Sequence, residues 1–135
     1  MTAGVLDPGP PVEYAWAGEF LERYVLARTR FEVDAFMDLF SRDAVLQPDP
    51  FGPPLAGGNA IRAYLLQCSI EESDIELTME RHWVSGHTIL AAWHASFVRR
   101  QGSRHVREAG FLTAEIRDRR VERLRVWTVT KREGA

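Results

Sequence analysis

Apolar residues recur at three- and four-residue spacings between Val12 and Phe31, at Tyr14, Ala17, Phe20, Leu21, Tyr24, Val25 and Phe31. This spacing predicts an amphipathic helix. A second, shorter helix is predicted over Val33–Phe40, with Asp34 near its start and Phe36, Leu39 and Phe40 as its apolar positions. Ser41-Arg42-Asp43 then turns the chain into a short strand, Ala44–Gln47. Pro48, Pro50, Pro53 and Pro54 deny the next stretch both helix and central strand, so it reads as a rigid loop. Asn59 stands where it could cap a third helix, Ala60–Gln67. Beyond Cys68 the pattern becomes strand-like, in four long runs: Ile75–Trp83, Thr88–Arg100, Ser103–Ile116 and Val121–Thr130. Their joints are short, which makes the runs antiparallel neighbours, and runs this long must twist or bend. The expected fold is α+β: a cone-shaped, curved, mostly antiparallel sheet packed against three N-terminal helices and enclosing a pocket. Residues 1–11, crowded with Gly and Pro, are expected to be a flexible tail, and 12–132 a single domain.

Alternation assigns the sheet faces unevenly. In the last run Leu124, Val126 and Thr128 share one face and Arg123, Arg125 and Trp127 the other, and the first set suits the helices. In the third run Val106, Glu108, Gly110, Leu112 and Ala114 form the inward set. The second run is ambiguous, because Ala91, Trp93, Ala95 and Phe97 compete with Leu90, Ala92, His94, Ser96 and Val98, and both sets are rather apolar. Both faces of this run are therefore expected to be covered.

Composition narrows the class. The 135 residues are 45% hydrophobic and 27% charged, which is globular and sized for one domain. The formal charge of −2 hides a split: residues 1–80 carry 14 acidic and 5 basic side chains, and residues 81–135 carry 5 and 12. The basic residues are 16 Arg and one Lys, so the second half must be weighed as a nucleic-acid surface. Arg99, Arg107, Arg123 and Arg125 interleave with Trp93, Phe97, Phe111 and Trp127, which favours a partner subunit over the sheet instead. A homodimer through the outer sheet face is expected, with no nucleic acid. The single cysteine excludes an internal disulfide. Neither a secretion signal nor an apolar run of membrane-spanning length is visible, so a cytoplasmic protein without membrane partners is expected. Four dispersed histidines lack a metal-binding spacing, and no dinucleotide fingerprint exists, so neither metal nor cofactor is expected.

The stretch Asp49-Pro50-Phe51-Gly52-Pro53-Pro54-Leu55, followed by Gly57 and Ala60-Ile61-Arg62-Ala63-Tyr64, resembles the bacterial ketosteroid isomerases. These belong to the nuclear-transport-factor-like superfamily, which also holds the SnoaL-like polyketide cyclases. Tyr24, Asp34, Phe36, Phe40, Asp43 and Ala44 extend the likeness upstream, and the element order agrees over roughly 14–130. The resemblance implies that Asp49 is a general base and Tyr24 an oxyanion donor. The family's second, acidic oxyanion donor falls on Leu112 or Phe111, both apolar, so the steroid isomerase machinery is incomplete. The same matching places His94, Ser96 and Val98 in the pocket beside Glu108, with Leu124, Val126 and Thr128 also facing it. Phe36, Phe51, Tyr64, Gly110 and Leu112 complete the expected lining.

Each candidate has a plain alternative. Asp49, between two prolines, is either an exposed turn residue or a base whose apolar wall, Phe36 and Phe51, raises its pKa. His94 is either a satisfied core histidine or an acid, base or oxyanion donor. A carboxylate on an apolar face needs a partner, so Glu108 pairs either with His94 or with an arginine. Tyr24 is either packed aromatic core or a hydroxyl donor into the pocket. His82 joins the rim if even-numbered positions of the first long run face inward, and dehydratases of the superfamily use pocket histidines. The expected function is a cofactor-free acid/base enzyme acting on a hydrophobic oxygenated substrate, a polyketide or steroid-like ketone. Proton transfer would lead to isomerisation, cyclisation or dehydration. The alternative is a non-catalytic small-molecule-binding or assembly domain of the same fold.

Overall fold

The structure, a computed structural model, describes residues 10–132. Three helices come first: α1 (Tyr14–Thr29), α2 (Val33–Met37) and α3 (Gly58–Glu71). Six strands form one sheet: β1 (Phe40–Gln47), β2 (Leu55–Ala56), β3 (Glu72–Ser85), β4 (Thr88–Arg99), β5 (Arg104–Arg117) and β6 (Arg120–Arg132). The α+β architecture is the expected one, helices packed against a curved and largely antiparallel sheet. Of the segment read as a tail, only Pro10 and Pro11 fall among the described residues, and both are exposed coil.

The helices form where an apolar stripe can be buried. On α1 the buried positions Ala17, Phe20, Leu21, Tyr24 and Ala27 repeat at three and four residues. The helix stops where Phe31 takes a positive φ of 52°, a conformation that helical hydrogen bonding cannot continue through. On α3, Ile61, Leu65 and Cys68 face inward. Its cap is Gly57, at φ 88°, and not the expected Asn59. Gly57 N–H donates to the Ala44 carbonyl at 2.8 Å, tying the start of α3 to β1. The second helix is shorter than its sequence pattern: Phe40 leaves it to open β1, and Val121 N–H then donates to Leu39 O at 2.8 Å.

The strand order is β2-β1-β6-β5-β4-β3. β3 to β6 make the expected antiparallel meander, while β1 joins β6 in parallel. Directly opposed residues share a face, so the register fixes what alternation left open. Ala95 opposes Glu108, Trp93 opposes Gly110 and Ala91 opposes Leu112. The inner face therefore carries the odd-numbered residues of β4 and the even-numbered ones of β5. Phe20, Phe36, Ile61, Leu65, Ile89, Val121 and Leu124 are the largest fully buried side chains, between helices and sheet. A Cβ at Gly110 would collide with the Trp127 carbonyl, so only glycine lets β5 approach β6 this closely. No helix among the described residues is long and apolar enough to cross a membrane.

Candidate active site

Between helices and sheet lies a cavity of about 390 Å³. Its apolar wall includes Phe36 on α2, Leu46 on β1, Leu77 and Met79 on β3, Trp93 and Phe97 on β4, Leu112 on β5 and Val126 on β6. Tyr24 and Tyr64 enter from α1 and α3, and Pro48, Asp49 and Pro50 from the end of β1. The charged lining is concentrated at one end of the sheet, where β4 finishes, β5 starts and β6 finishes. There stand Arg28, Glu72, Arg99 and Glu108, with Thr130 among them.

Arg28 lies one turn beyond Tyr24 on α1, and so on the same helix face. Its Nη2 donates to Glu72 Oε1 at 3.1 Å, with side chains only 16% and 13% exposed. Burial opposes the Arg28 charge, but Cys68, Glu72, Tyr64 and Tyr24 outweigh it, and the guanidinium is held above the ordinary arginine range. Glu108 Oε2 accepts from the Thr130 hydroxyl at 3.1 Å. Burial raises the Glu108 pKa and nearby Glu72 adds to this, while the Thr130 bond, Arg99 and Arg28 act in the opposite direction. Burial likewise pushes the Tyr24 and Tyr64 phenols up, which keeps both hydroxyls protonated. Asp49 is exposed at the rim. Its Oδ1 accepts from Phe51 N–H at 3.0 Å, and Gly52 N–H returns to the Asp49 carbonyl at 3.0 Å, closing a tight turn.

Of the residues expected in the pocket, Tyr24, Phe36, Asp49, Tyr64, Glu108, Leu112, Val126 and Thr128 line one cavity. The others lie elsewhere. His94, with Ser96 and Val98, faces the opposite side of the sheet, because the register gives the inner face to Trp93, Ala95 and Phe97. His94 Nδ1 and Glu80 Oε1 are 2.6 Å apart there, so the histidine's partner is Glu80 and not Glu108. His82 does turn inward, but only because a bulge between Met79 and Arg81 reverses the parity of β3. It stacks on Tyr14, ring centroids 4.1 Å apart, and sits 3.3 Å from the Tyr14 carbonyl, away from the cavity. Phe51 is 98% exposed on its turn and forms no wall. Leu124 is buried in the core, and Gly110 makes room for β6 without lining the cavity. Trp93 and Phe97, read as outer-face aromatics, are pocket residues.

The reading of the sequence missed Arg28, Glu72, Arg99, Trp93 and Thr130. Arg28 carried a signal in its spacing from Tyr24. Thr130 carried one in its alternation with Thr128. Glu72 carried none, since it sits at the junction of α3 and β3. Among the described residues, no group of three or more His, Cys, Asp and Glu could hold a metal ion.

A family profile described as a SnoaL-like domain matches residues 21–124. No curated protein matches the chain. Several solved structures share the fold. One is an epoxide hydrolase of Mycobacterium tuberculosis, described as LEH-like. It is 16% identical with a TM-score of 0.73, over 85% of this chain and 84% of that one. Another is SalBIII, an epoxide hydrolase/cyclase-like enzyme of pyran ring formation in salinomycin. It is 14% identical with a TM-score of 0.78, over 87% and 93%. A third, from Catenulispora acidiphila, has a ketosteroid isomerase-like fold and was solved with trimethylamine. It is 14% identical with a TM-score of 0.68, over 81% and 84%.

Proposed function

Taking as premise that this chain belongs to the SnoaL-like domain family, we propose that it is a cofactor-free acid/base enzyme acting on a small hydrophobic, oxygenated substrate. The observation carrying this reading is that Asp49, Glu108 and Tyr24 line one cavity, which has an apolar wall and a charged end. Asp49, reachable from solvent at the rim, takes a proton from carbon next to a carbonyl. Glu108, whose burial favours the protonated form, returns a proton. The Tyr24 hydroxyl, kept protonated by its surroundings, donates to oxygen as charge develops there. Isomerisation, cyclisation and dehydration all share this first step. The fold relatives named as epoxide hydrolase and cyclase-like enzyme support an acid/base reading of the pocket.

The test is solvent deuterium exchange into a panel of hydrophobic ketones, followed by NMR. Exchange faster than buffer, lost in Asp49→Asn and reduced in Glu108→Gln, is the expected result. Exchange equal to buffer, together with saturable ketone binding, selects a second reading, a non-catalytic binding domain. That reading has its own support, because Asp49 is exposed and already accepts from Phe51 N–H.

We propose also that two copies pair through the outer sheet face. Trp83 and Phe111 meet edge-on there, ring centroids 5.7 Å apart, and Val129 is 77% exposed. Glu76 and Glu80 lie at the β3 side of this face, and Arg123 and Arg125 at the β6 side. A two-fold axis along the strands would lay β3 of one copy over β6 of the other, matching acid to base. Sedimentation equilibrium giving a monomer at high micromolar concentration overturns this.

A further inference from the structure

Arg99 finishes β4 in the cavity lining, and its register partner Arg104 starts β5 beside it, just outside that lining. Directly opposed residues share a face, and like charges so placed repel. Among the described residues, neither arginine has a carboxylate within ion-pair distance. Glu72 stands opposite Arg99 across β3 and β4, but its carboxylate is bound to Arg28. Glu108 lies nearby on β5, but its carboxyl is bonded to Thr130. The Arg99 guanidinium sits over the Phe97 ring, 5.5 Å from its centroid, and Phe97 is itself a pocket wall. This contact places the cation at the edge of the cavity. Behind it, Arg28 Nη1 is buried and has no hydrogen-bond partner among the described residues. Glu72 is thus taken up by Arg28 and Glu108 by Thr130, which leaves more guanidinium than carboxylate at this end of the sheet.

We propose that the pocket's ligand is amphipathic, with a hydrophobic body against Trp93, Leu112 and Val126 and an anionic end, a carboxylate or phosphate, held at the mouth by Arg99 and Arg104. Guanidinium pairs suit both oxyanions, which they bind through paired N–H donors. Asp49 comes to the rim from β1, and its charge confines the anionic end to the arginine side. The inference rests on reading the cavity as a small-molecule site, but it does not depend on catalysis there.

Binding to the 135-residue chain tests it, by calorimetry at low ionic strength with naphthylacetate, naphthylmethyl phosphate and neutral naphthylethanol. At least one anion is expected to bind about tenfold more tightly than the alcohol. The tighter anion identifies the head group. The Arg99→Gln/Arg104→Gln double variant, altered only at exposed positions, is expected to lose that preference and keep the alcohol's affinity. Added salt weakens the anion alone. Equal affinity for anion and alcohol, a preference that survives in the double variant, or no saturable binding of any probe overturns the proposal. Proton exchange measured on the wild type separates this result from the reaction reading: anion preference without exchange faults the reaction alone, and exchange without anion preference faults this proposal alone.

Discussion

The Arg28–Glu72 pair offers a quantitative test of how the pocket's charged end is held. At 3.1 Å and an effective dielectric of about 20, the gross attraction is about 5 kcal/mol. Desolvation cancels much of it, and the small exposure of both side chains puts the pair nearer the buried than the surface case. Glu72→Gln leaves a guanidinium among Tyr24, Tyr64 and Cys68 without its counter-charge. Arg28→Met leaves a carboxylate facing Glu108. Each single change is expected to cost about 2–4 kcal/mol, because a half-buried charge is stranded. The double variant strands nothing and is expected to cost only about 1–2 kcal/mol more than the wild type, less than either single change requires by addition. Urea unfolding of all four proteins measures this coupling, with unchanged m-values confirming that the unfolding transition is the same. Added salt should alter the coupling little, since the pair is shielded from counterions. Single changes costing under about 0.5 kcal/mol each, and adding simply, would refute the reasoning and reclassify the pair as a surface contact.

Other perturbations follow from the same structure. Glu108 has a folded-state pKa above its unfolded value, so its ionisation costs stability as pH rises through the folded pKa, and nothing below the unfolded one. Glu108→Gln is therefore expected to be more stable than wild type at neutral pH, with the gap closing toward pH of about 4, as melting across pH will show. Gly110→Ala forces β5 away from the Trp127 carbonyl and is expected to lose about 3 kcal/mol or more, read as a lower urea midpoint. Phe111→Arg puts a like charge beside Arg125 on the outer face and is expected to yield monomers in sedimentation, with the helical signal intact.

Much of the fold was legible because long periodic runs decide their own type. The stripe Ala17, Phe20, Leu21, Tyr24 and Ala27 could only be a buried helix face, and the four long runs could only be strands. The pocket was half legible for a physical reason. In β6 and β5 the inner residues differ sharply from the outer ones, so Glu108, Leu112, Val126 and Thr128 were found. In β4 both alternating sets are apolar, and only pairing with β5 shows that Trp93 and Phe97 turn inward and His94 outward. In β3 a single bulge beyond Met79 reverses the faces, which no alternation rule anticipates. Arg28 and Glu72 illustrate the remaining limit, because an ion pair spanning 44 residues is a product of tertiary contact and leaves no local pattern.

The parallel seam between β1 and β6 sets the order of events on the ribosome. Leu46 cannot meet Leu124 until β3, β4 and β5 have all emerged between them. Synthesis at about 5–20 residues per second separates the two strands by about 4–16 seconds. Until β6 arrives, the helices can pack on the β3–β5 meander but not on β6, so Leu124 and Val121 are missing from their cover. β6 both closes the sheet and supplies Val126, Thr128 and Thr130 to the cavity wall. A product truncated before β6 therefore lacks that part of the cavity wall.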